Sequence, residues 1–248
     1  MFCQGNVSFI DGATCLEIGS GAGRFTDYLV ELCQTVVTVD SSPAIFCNAA
    51  LGAANLIACR ADLFDIPIRR DQVDIVFCRG VIQHTPDPKR AIEKLFDYVR
   101  PGGIVLFDVY PFKWYTPLVA KYWLRPLFRM VRPETITVWI ERLLPGLLNF
   151  KHNVINRILP RNKFGEFLSN QLVPVADALP STELRSWEHK IRWSVLDTVD
   201  MYTPRYDHPL SFDSIMQTLK KLNTKNVQAN PSTFCFKAVA QRRNDRVD

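Results

Sequence analysis

The sequence predicts an α/β fold, a doubly wound and mostly parallel sheet with a helical insertion ahead of its last helix. Three observations lead there. From residue 13 to 108, short apolar runs alternate with segments of helical period, the pattern of a parallel sheet covered by helices on both faces. A glycine-rich turn closes the first of those runs. The alternation then stops after Tyr110 and resumes only with one helix and two strands between 212 and 240.

Each element has its own reason. Residues 13–18 form a short apolar run closing on glycines, a strand. Residues 24–33 set Phe25, Tyr28, Leu29 and Leu32 at helical spacing. Residues 35–39 (TVVTV) are β-branched throughout and end at Asp40, a second buried strand. Ser41-Ser42-Pro43 offers an N-cap and a first-turn proline to a helix reaching Leu51. Residues 55–60 and 73–78 are further strands and 88–99 a helix, after which Pro101-Gly102-Gly103 turns the chain into a fifth strand, 104–108. Residues 111–195 are rich in Trp, Phe, Leu, Arg and Pro, with helix-like stretches near 116–131, 134–144, 150–159 and 163–171. A helix at 212–222 and strands at 226–229 and 233–240, joined through Asn230-Pro231-Ser232 as an antiparallel pair, would complete the sheet. The organisation expected is a first half of the core (1–110), a helical insertion or lid (111–195), and a loop with the completion of the core (196–248).

With 248 residues, 47% hydrophobic and 22% charged, the chain has room for one large domain and a modest second lobe, and its composition excludes disorder, collagen and coiled coil. No stretch approaches the roughly 18 apolar residues of a membrane span. Met1-Phe2-Cys3-Gln4-Gly5-Asn6 shows no basic region followed by an apolar run, so the expectation is no signal peptide and a cytoplasmic location. The seven cysteines, at 3, 15, 33, 47, 59, 78 and 235, are odd in number and contain no Cys-x-x-Cys pair, which argues against a disulfide framework or a zinc site. Cys15, Cys59, Cys78 and Cys235 fall in apolar runs, as small hydrophobes in a reducing compartment would. The net charge of +5 is uneven: residues 1–108 carry 9 Lys/Arg against 13 Asp/Glu, and residues 109–194 carry 13 against 6. Something anionic can meet the basic middle third.

The stretch Leu16-Glu17-Ile18-Gly19-Ser20-Gly21-Ala22-Gly23 carries the most chemistry. Bare backbone between a strand and a helix lets a ligand approach closely, and a helix N-terminus offers N–H groups to a carboxylate or phosphate. Asp40 ends the second strand, the position that reaches a ribose hydroxyl pair in doubly wound sheets. Dinucleotide enzymes seat a pyrophosphate with G-x-G-x-x-G; here the spacing is G-x-G-x-G behind Glu17, whose carboxylate suits a cationic amino-acid head better.

These residues resemble the class I S-adenosylmethionine-dependent methyltransferases, type 11-like, over about 1–110 and 211–240. The resemblance implies a seven-stranded Rossmann-like sheet, mostly parallel with an antiparallel last strand, and S-adenosylmethionine as cofactor. It implies that Glu17, Gly19, Ser20, Gly21 and Gly23 hold the methionyl and ribose parts, and that Asp40, with Ser41 beside it, bonds the ribose. Asp62 would reach the adenine amino group, Leu63 would pack on the ring, and Arg79 would belong to the cofactor contacts. Residues 79–88 look like the loop after the fourth strand, and Arg100-Pro101-Gly102-Gly103 like the turn before the fifth. With few residues ahead of the first strand, cover for the site is expected from the insertion or a partner.

A hydroxyl acceptor needs a base, and His84, in the loop after the fourth strand, is the candidate; its other reading is a residue that orders that loop. Asp197, Asp200, Tyr202 and Tyr206 crowd the segment before the last helix, where they either line an acceptor pocket or cap and pack a surface loop. His152 and His189 have no ligand-spaced partners, and no metal site is expected. Lys121, Arg125, Arg129 and Arg132 recur beside Trp123, Leu127 and Phe128, either as a solvated basic face or as a surface for anionic lipid or a phosphate-bearing acceptor. Nucleic acid is disfavoured, with no RNA module and no basic tail beyond Arg242-Arg243. The expected activity is methyl transfer, at oxygen, to a small or carrier-linked acceptor; an NAD-dependent oxidoreductase and a non-catalytic cofactor-binding scaffold are the alternatives.

Overall fold

The computed structural model describes residues 10–181, 186–222, 224–231 and 234–240. The leading apolar runs become β1 (Thr14–Ile18), β2 (Thr35–Asp40), β3 (Leu56–Arg60) and β4 (Val73–Cys78), with α1 (Thr26–Leu32), α2 (Ile45–Ala49) and α3 (Pro88–Tyr98) between or after them. β5 (Val99–Asp108) follows, and after the insertion come α9 (Phe212–Lys221), β6 (Lys225–Asn230) and β7 (Cys235–Val239). The sheet order is β3-β2-β1-β4-β5-β7-β6. Leu16 sits between Val37 and Val76 in parallel register, and Val76 beside Val105. β7 alone runs against the rest, pairing antiparallel with both β5 and β6.

Period-2 alternation sends successive residues to opposite faces. Leu16, Ile18, Val76, Cys78, Val105 and Phe107 enter one core, sealed by α3 and α9 through Ile92, Leu95, Ile215 and Leu219. Cys15, Ile75, Phe77 and Leu106 enter the other, against Leu29 and Cys33 from the α1 region. Cys59 and Cys235 are only half buried.

Pro101-Gly102-Gly103 does not make the expected turn; it lies within β5. Val99 pairs with Val73 and Ile104 with Ile75, so the strand absorbs its extra residues as a local irregularity, the usual role of a bulge. Cys3, Ser232 and Arg242-Arg243 lie outside the described residues, so the readings placed on them and on the turn after β6 do too.

The chain divides into two compact units, one of residues 1–112 with 206–248 and one of Lys113–Arg205. The second is helical: α4 (Ala120–Phe128), α5 (Pro133–Phe150), a π turn Lys151–Ile155, the short α6 (Asn156–Ile158), α7 (Lys163–Leu172) and α8 (Trp187–Tyr202). Ile136, Ile140, Leu144 and Leu148 form one stripe of α5 and pack with Val195 of α8. Thus 196–202, expected as loop, continues a helix N-capped by Ser186, and the boundary placed at 195 falls inside it. The basic face expected from Lys121, Arg125, Arg129 and Arg132 is split, with Arg129 and Arg132 exposed. Lys121 and Arg125 are buried, whereas Trp123 is 70% exposed. Arg125 donates to the carbonyls of Met201 and Pro204 at 2.7 and 2.8 Å, satisfying acceptors at the end of α8. No helix of the described residues is long and apolar enough to cross a membrane.

Candidate functional site

Strand order reverses between β1 and β4. In an open α/β sheet, the crevice at the carboxyl ends of such a pair is where ligands bind, and most of the residues singled out above gather there. β1 runs directly into the glycine loop, which folds back onto β2: the Gly19 and Ser20 N–H groups donate to the Val39 carbonyl at 2.7 and 3.3 Å. Gly19 has φ +75°, and a Cβ there would lie 2.0 Å from the Val81 side chain, so only glycine fits. Gly21 has φ +55°, and a Cβ there would have nothing within 4 Å: bare backbone facing open space. Gly23 closes the loop with its N–H on the Ser20 carbonyl at 3.0 Å.

Asp40, at the tip of β2, is held from both sides. Its Oδ2 accepts from the Gly21 N–H and its Oδ1 from the Ser42 N–H, each at 2.7 Å. A carboxylate has about four lone-pair sites, so two further donors, such as a pair of vicinal hydroxyls, can still be accepted. Ser41 is exposed, and its carbonyl accepts from Arg60 Nε at 3.0 Å. The Ala61 N–H donates to the Asp40 carbonyl at 3.1 Å, which sets Asp62 and Leu63 beside the end of β2. Asp62 caps the turn that follows, its Oδ1 accepting from the Phe64 N–H at 2.8 Å, while Leu63 is buried.

Glu17 faces the α1 side of the sheet and is 1% exposed. Its Oε2 accepts from the hydroxyls of Thr26 and Thr38 at 2.5 and 3.2 Å, and Asn48 Nδ2 donates to both of those hydroxyl oxygens. Burial pushes the Glu17 carboxyl up to about 7; the threonine hydrogen bonds pull it back, and the charges of Asp40 and Asp27 push it further up. Oε1 of Glu17, Oγ of Ser20 and Nε2 of Gln83 are buried without a protein partner. Buried polar atoms without partners are costly, and Glu17 Oε1 and Ser20 Oγ, on either side of Gly19 in the chain, keep hydrogen-bonding capacity for a polar ligand.

On the β4 side, Arg79 Nε pairs with Asp108 Oδ2 at 3.2 Å, and its guanidinium lies 4.9 Å from the centre of the Phe25 ring. Asp108 Oδ1 also accepts from the Gly80 N–H at 2.6 Å. His84 ends a 3-10 turn, its ring edge-to-face with Tyr110 at 5.5 Å. His84 Nδ1 lies 3.0 Å from the Tyr206 carbonyl. A carbonyl only accepts, so Nδ1 carries a proton, and in the neutral ring the lone pair is then on Nε2. Residues 206–208 clasp this loop, the His208 N–H donating to the Gln83 carbonyl at 2.8 Å; from the end of β5, the Tyr110 N–H donates to Gln83 Oε1 at 3.3 Å.

The four residues expected to line an acceptor pocket fare differently. Tyr206 contributes its backbone to the His84 loop. Asp197, Asp200 and Tyr202 lie on α8 in the helical unit. Tyr202 is a packing residue: it is 3% exposed, its ring meets Phe128 at 4.5 Å, and its hydroxyl donates to the Pro174 carbonyl at 2.6 Å. Burial pushes that hydroxyl up to about 12. Sequence reasoning missed Asp108 and the Thr26–Thr38–Asn48 group around Glu17. An acidic residue ending a strand was a signal for the first; nothing in spacing marked the second. Among the described residues no group of three or more His, Cys, Asp or Glu side chains could hold a metal.

Residues 16–107 match the protein family described as a methyltransferase domain. Curated relatives include a trans-aconitate 2-methyltransferase of Deinococcus radiodurans, 30% identical over 99 residues, which cover 39% of this chain and 38% of that one. A ubiquinone biosynthesis O-methyltransferase of Pseudomonas fluorescens is 30% identical over 105 residues, covering 39% and 44%. The chain thus spans less than half the length of these two relatives. Among solved structures, an S-adenosylmethionine-dependent methyltransferase of Aquifex aeolicus aligns over 94% of this chain and 84% of its own at 14% identity, with a TM-score of 0.47.

Proposed function

We propose, from the premise that residues 16–107 form a class I S-adenosylmethionine-dependent methyltransferase domain, that the protein transfers a methyl group from S-adenosylmethionine to an oxygen of a small or carrier-linked acceptor. The observation that carries the reading is the Asp40 carboxylate, fixed by the Gly21 and Ser42 N–H groups beside an open stretch of glycine backbone. The partnerless Ser20 Oγ and Glu17 Oε1 fit the same ligand, the latter being an acceptor for an amino-acid ammonium. The names of the ubiquinone-pathway relatives support oxygen as the acceptor atom.

Bound S-adenosylmethionine supplies a methyl group on an already activated sulfonium. The chain has to hold the nucleoside, align the acceptor and exclude water. Asp40 takes the ribose hydroxyls, Gly19 to Gly23 admit the methionyl part, and Asp62 and Leu63 take the adenine edge and face. Ser41 and Arg79 frame the same crevice. His84, with its proton held on Nδ1 by the Tyr206 carbonyl, would take the acceptor hydroxyl's proton at Nε2.

Calorimetric titration with S-adenosylhomocysteine tests the site. The wild type should give a saturable isotherm, and Asp40→Ala should weaken it about 100-fold, the loss of two hydrogen bonds to a charged acceptor. Binding of NAD in place of S-adenosylhomocysteine overturns the assignment. Radiolabelled methyl transfer into a cell extract separates an enzyme from a scaffold that binds without turnover.

A further inference from the structure

The helical unit, taken by itself, contains a cavity of about 780 Å³ whose wall runs from Val119 to Met201. We propose that this cavity binds a small oxyanion-bearing molecule, and that a phosphate ester is the class its walls fit. The inference rests on the helical unit alone and is independent of the methyl-transfer reading.

Lys121, Lys151, Arg161 and Lys163 line the cavity against two carboxylates, Glu166 and Asp177. Lys151 is 3% exposed, and a buried ammonium is costly unless it is paired. Asp177 is shared. Its Oδ2 lies 3.4 Å from Lys151 Nζ and 2.8 Å from His152 Nε2, while its Oδ1 accepts from the Leu179 N–H at 3.1 Å. One carboxylate therefore answers two nitrogen donors and a backbone N–H, and the wall keeps an excess of positive charge.

Three asparagines line the cavity, and each has its oxygen turned to the protein. Asn170 Oδ1 accepts from Lys151 Nζ at 2.8 Å, Asn162 Oδ1 from the Gly165 N–H at 2.9 Å, and Asn156 Oδ1 from the Ser169 hydroxyl at 2.6 Å. What these amides present to a ligand is the NH2 group. Cations and amide N–H groups together make a wall richer in donors than in open acceptors, with Glu166 as the remaining lining carboxylate. A neutral polyol needs acceptors as well as donors; an oxyanion needs donors only.

The backbone agrees with this. After α5 the chain widens into the π turn Lys151–Ile155, which carries both Lys151 and His152, and such turns are rare and frequently found at functional sites. Asn162 caps α7, a helix of ten residues, so the positive end of that helix meets the same wall. The volume suits a ligand the size of a sugar phosphate.

The test uses the full chain and glucose 6-phosphate as probe, with glucose and phosphatidylglycerol vesicles as comparisons, read by calorimetry and by co-sedimentation. Glucose 6-phosphate should bind saturably and glucose should not. The double variant Arg161→Gln/Lys163→Gln, changed only at exposed positions, should weaken binding about 30-fold, with the same ligand-free unfolding midpoint as the wild type. Its affinity for S-adenosylhomocysteine should be unchanged, so failure here is distinguishable from failure of the proposed function. Lys151→Met tests the buried wall and should abolish binding. Glucose binding as tightly as its phosphate, no saturable binding at all, vesicle binding without soluble ester binding, or a double variant that binds like the wild type would each overturn the proposal.

Discussion

Replacing Glu17 with glutamine should make the protein more stable and a worse binder, with both effects set by pH. The carboxyl is buried beneath the glycine loop and titrates at about 7 in the folded chain, against 4.5 for an unperturbed glutamate. Between those values the native state holds a proton that the unfolded state has released. Stability therefore falls as pH rises through this window, and the loss is complete above 7. At about 1.4 kcal/mol per pH unit, the gap from 4.5 to about 7 amounts to about 3 kcal/mol. Glutamine copies the shape of the protonated acid and can still accept from Thr26 and Thr38. The advantage of Glu17→Gln should thus be about 3 kcal/mol at pH 8 and about 1 kcal/mol at pH 5. Urea unfolding of both proteins across that range measures it directly. Affinity should move the other way: a ligand ammonium beside Glu17 favours the ionised form, so wild-type affinity for S-adenosylhomocysteine should rise with pH through 7, and that of Glu17→Gln should stay flat. A stability advantage that does not change with pH would show that Glu17 does not carry the burial penalty assigned to it.

Two further perturbations separate holding the fold from holding the ligand. Gly19→Ala should cost about 3 kcal/mol, because its Cβ meets Val81 and its φ is positive. Gly21→Ala should cost only about 1 kcal/mol, because its Cβ meets nothing, yet it should lower affinity for S-adenosylhomocysteine by narrowing the open backbone. Urea midpoints beside calorimetry distinguish the two, and equal destabilisation would count against the loop geometry. His84→Ala should lower turnover about 100-fold or more with cofactor affinity unchanged. His84→Asn, whose amide can still donate to the Tyr206 carbonyl, should restore the loop without restoring turnover; if it restores turnover, the histidine orders its loop and nothing more.

The parallel half of the chain was legible because burial on both faces writes each strand as a continuous apolar run. Residues 73–78 became β4 to the residue. Glycines with a carboxylate at the neighbouring strand tip were legible for a related reason: the sheet reverses between β1 and β4, and the chemistry has to sit at that reversal. Pro101-Gly102-Gly103 misled because breaker residues read as a turn, whereas they form an irregularity inside β5, between the Val99–Val73 and Ile104–Ile75 pairs and bonded to the Ala240 backbone. The Glu17 group had no signal, since Thr26, Thr38 and Asn48 come from three elements and meet only in space.

The two misreadings in the helical unit have one origin. α8 contains Ile191, Val195, Thr198 and Tyr202 at helical spacing, but β-branched residues are weak helix formers, and the carboxylates of Asp197 and Asp200 between them read as loop. Tertiary packing against Ile136, Ile140 and Leu144 of α5 supplies what local propensity does not. Once α8 is absent from the reading, its carbonyl-bearing end is absent too, and nothing then asks for a buried cation. Arg125 accordingly reads as a solvated face, although its fork holds the Met201 and Pro204 carbonyls. The burial of Arg125 thus follows from the existence of a helix about 60 residues later in the chain, a dependence that no local window contains.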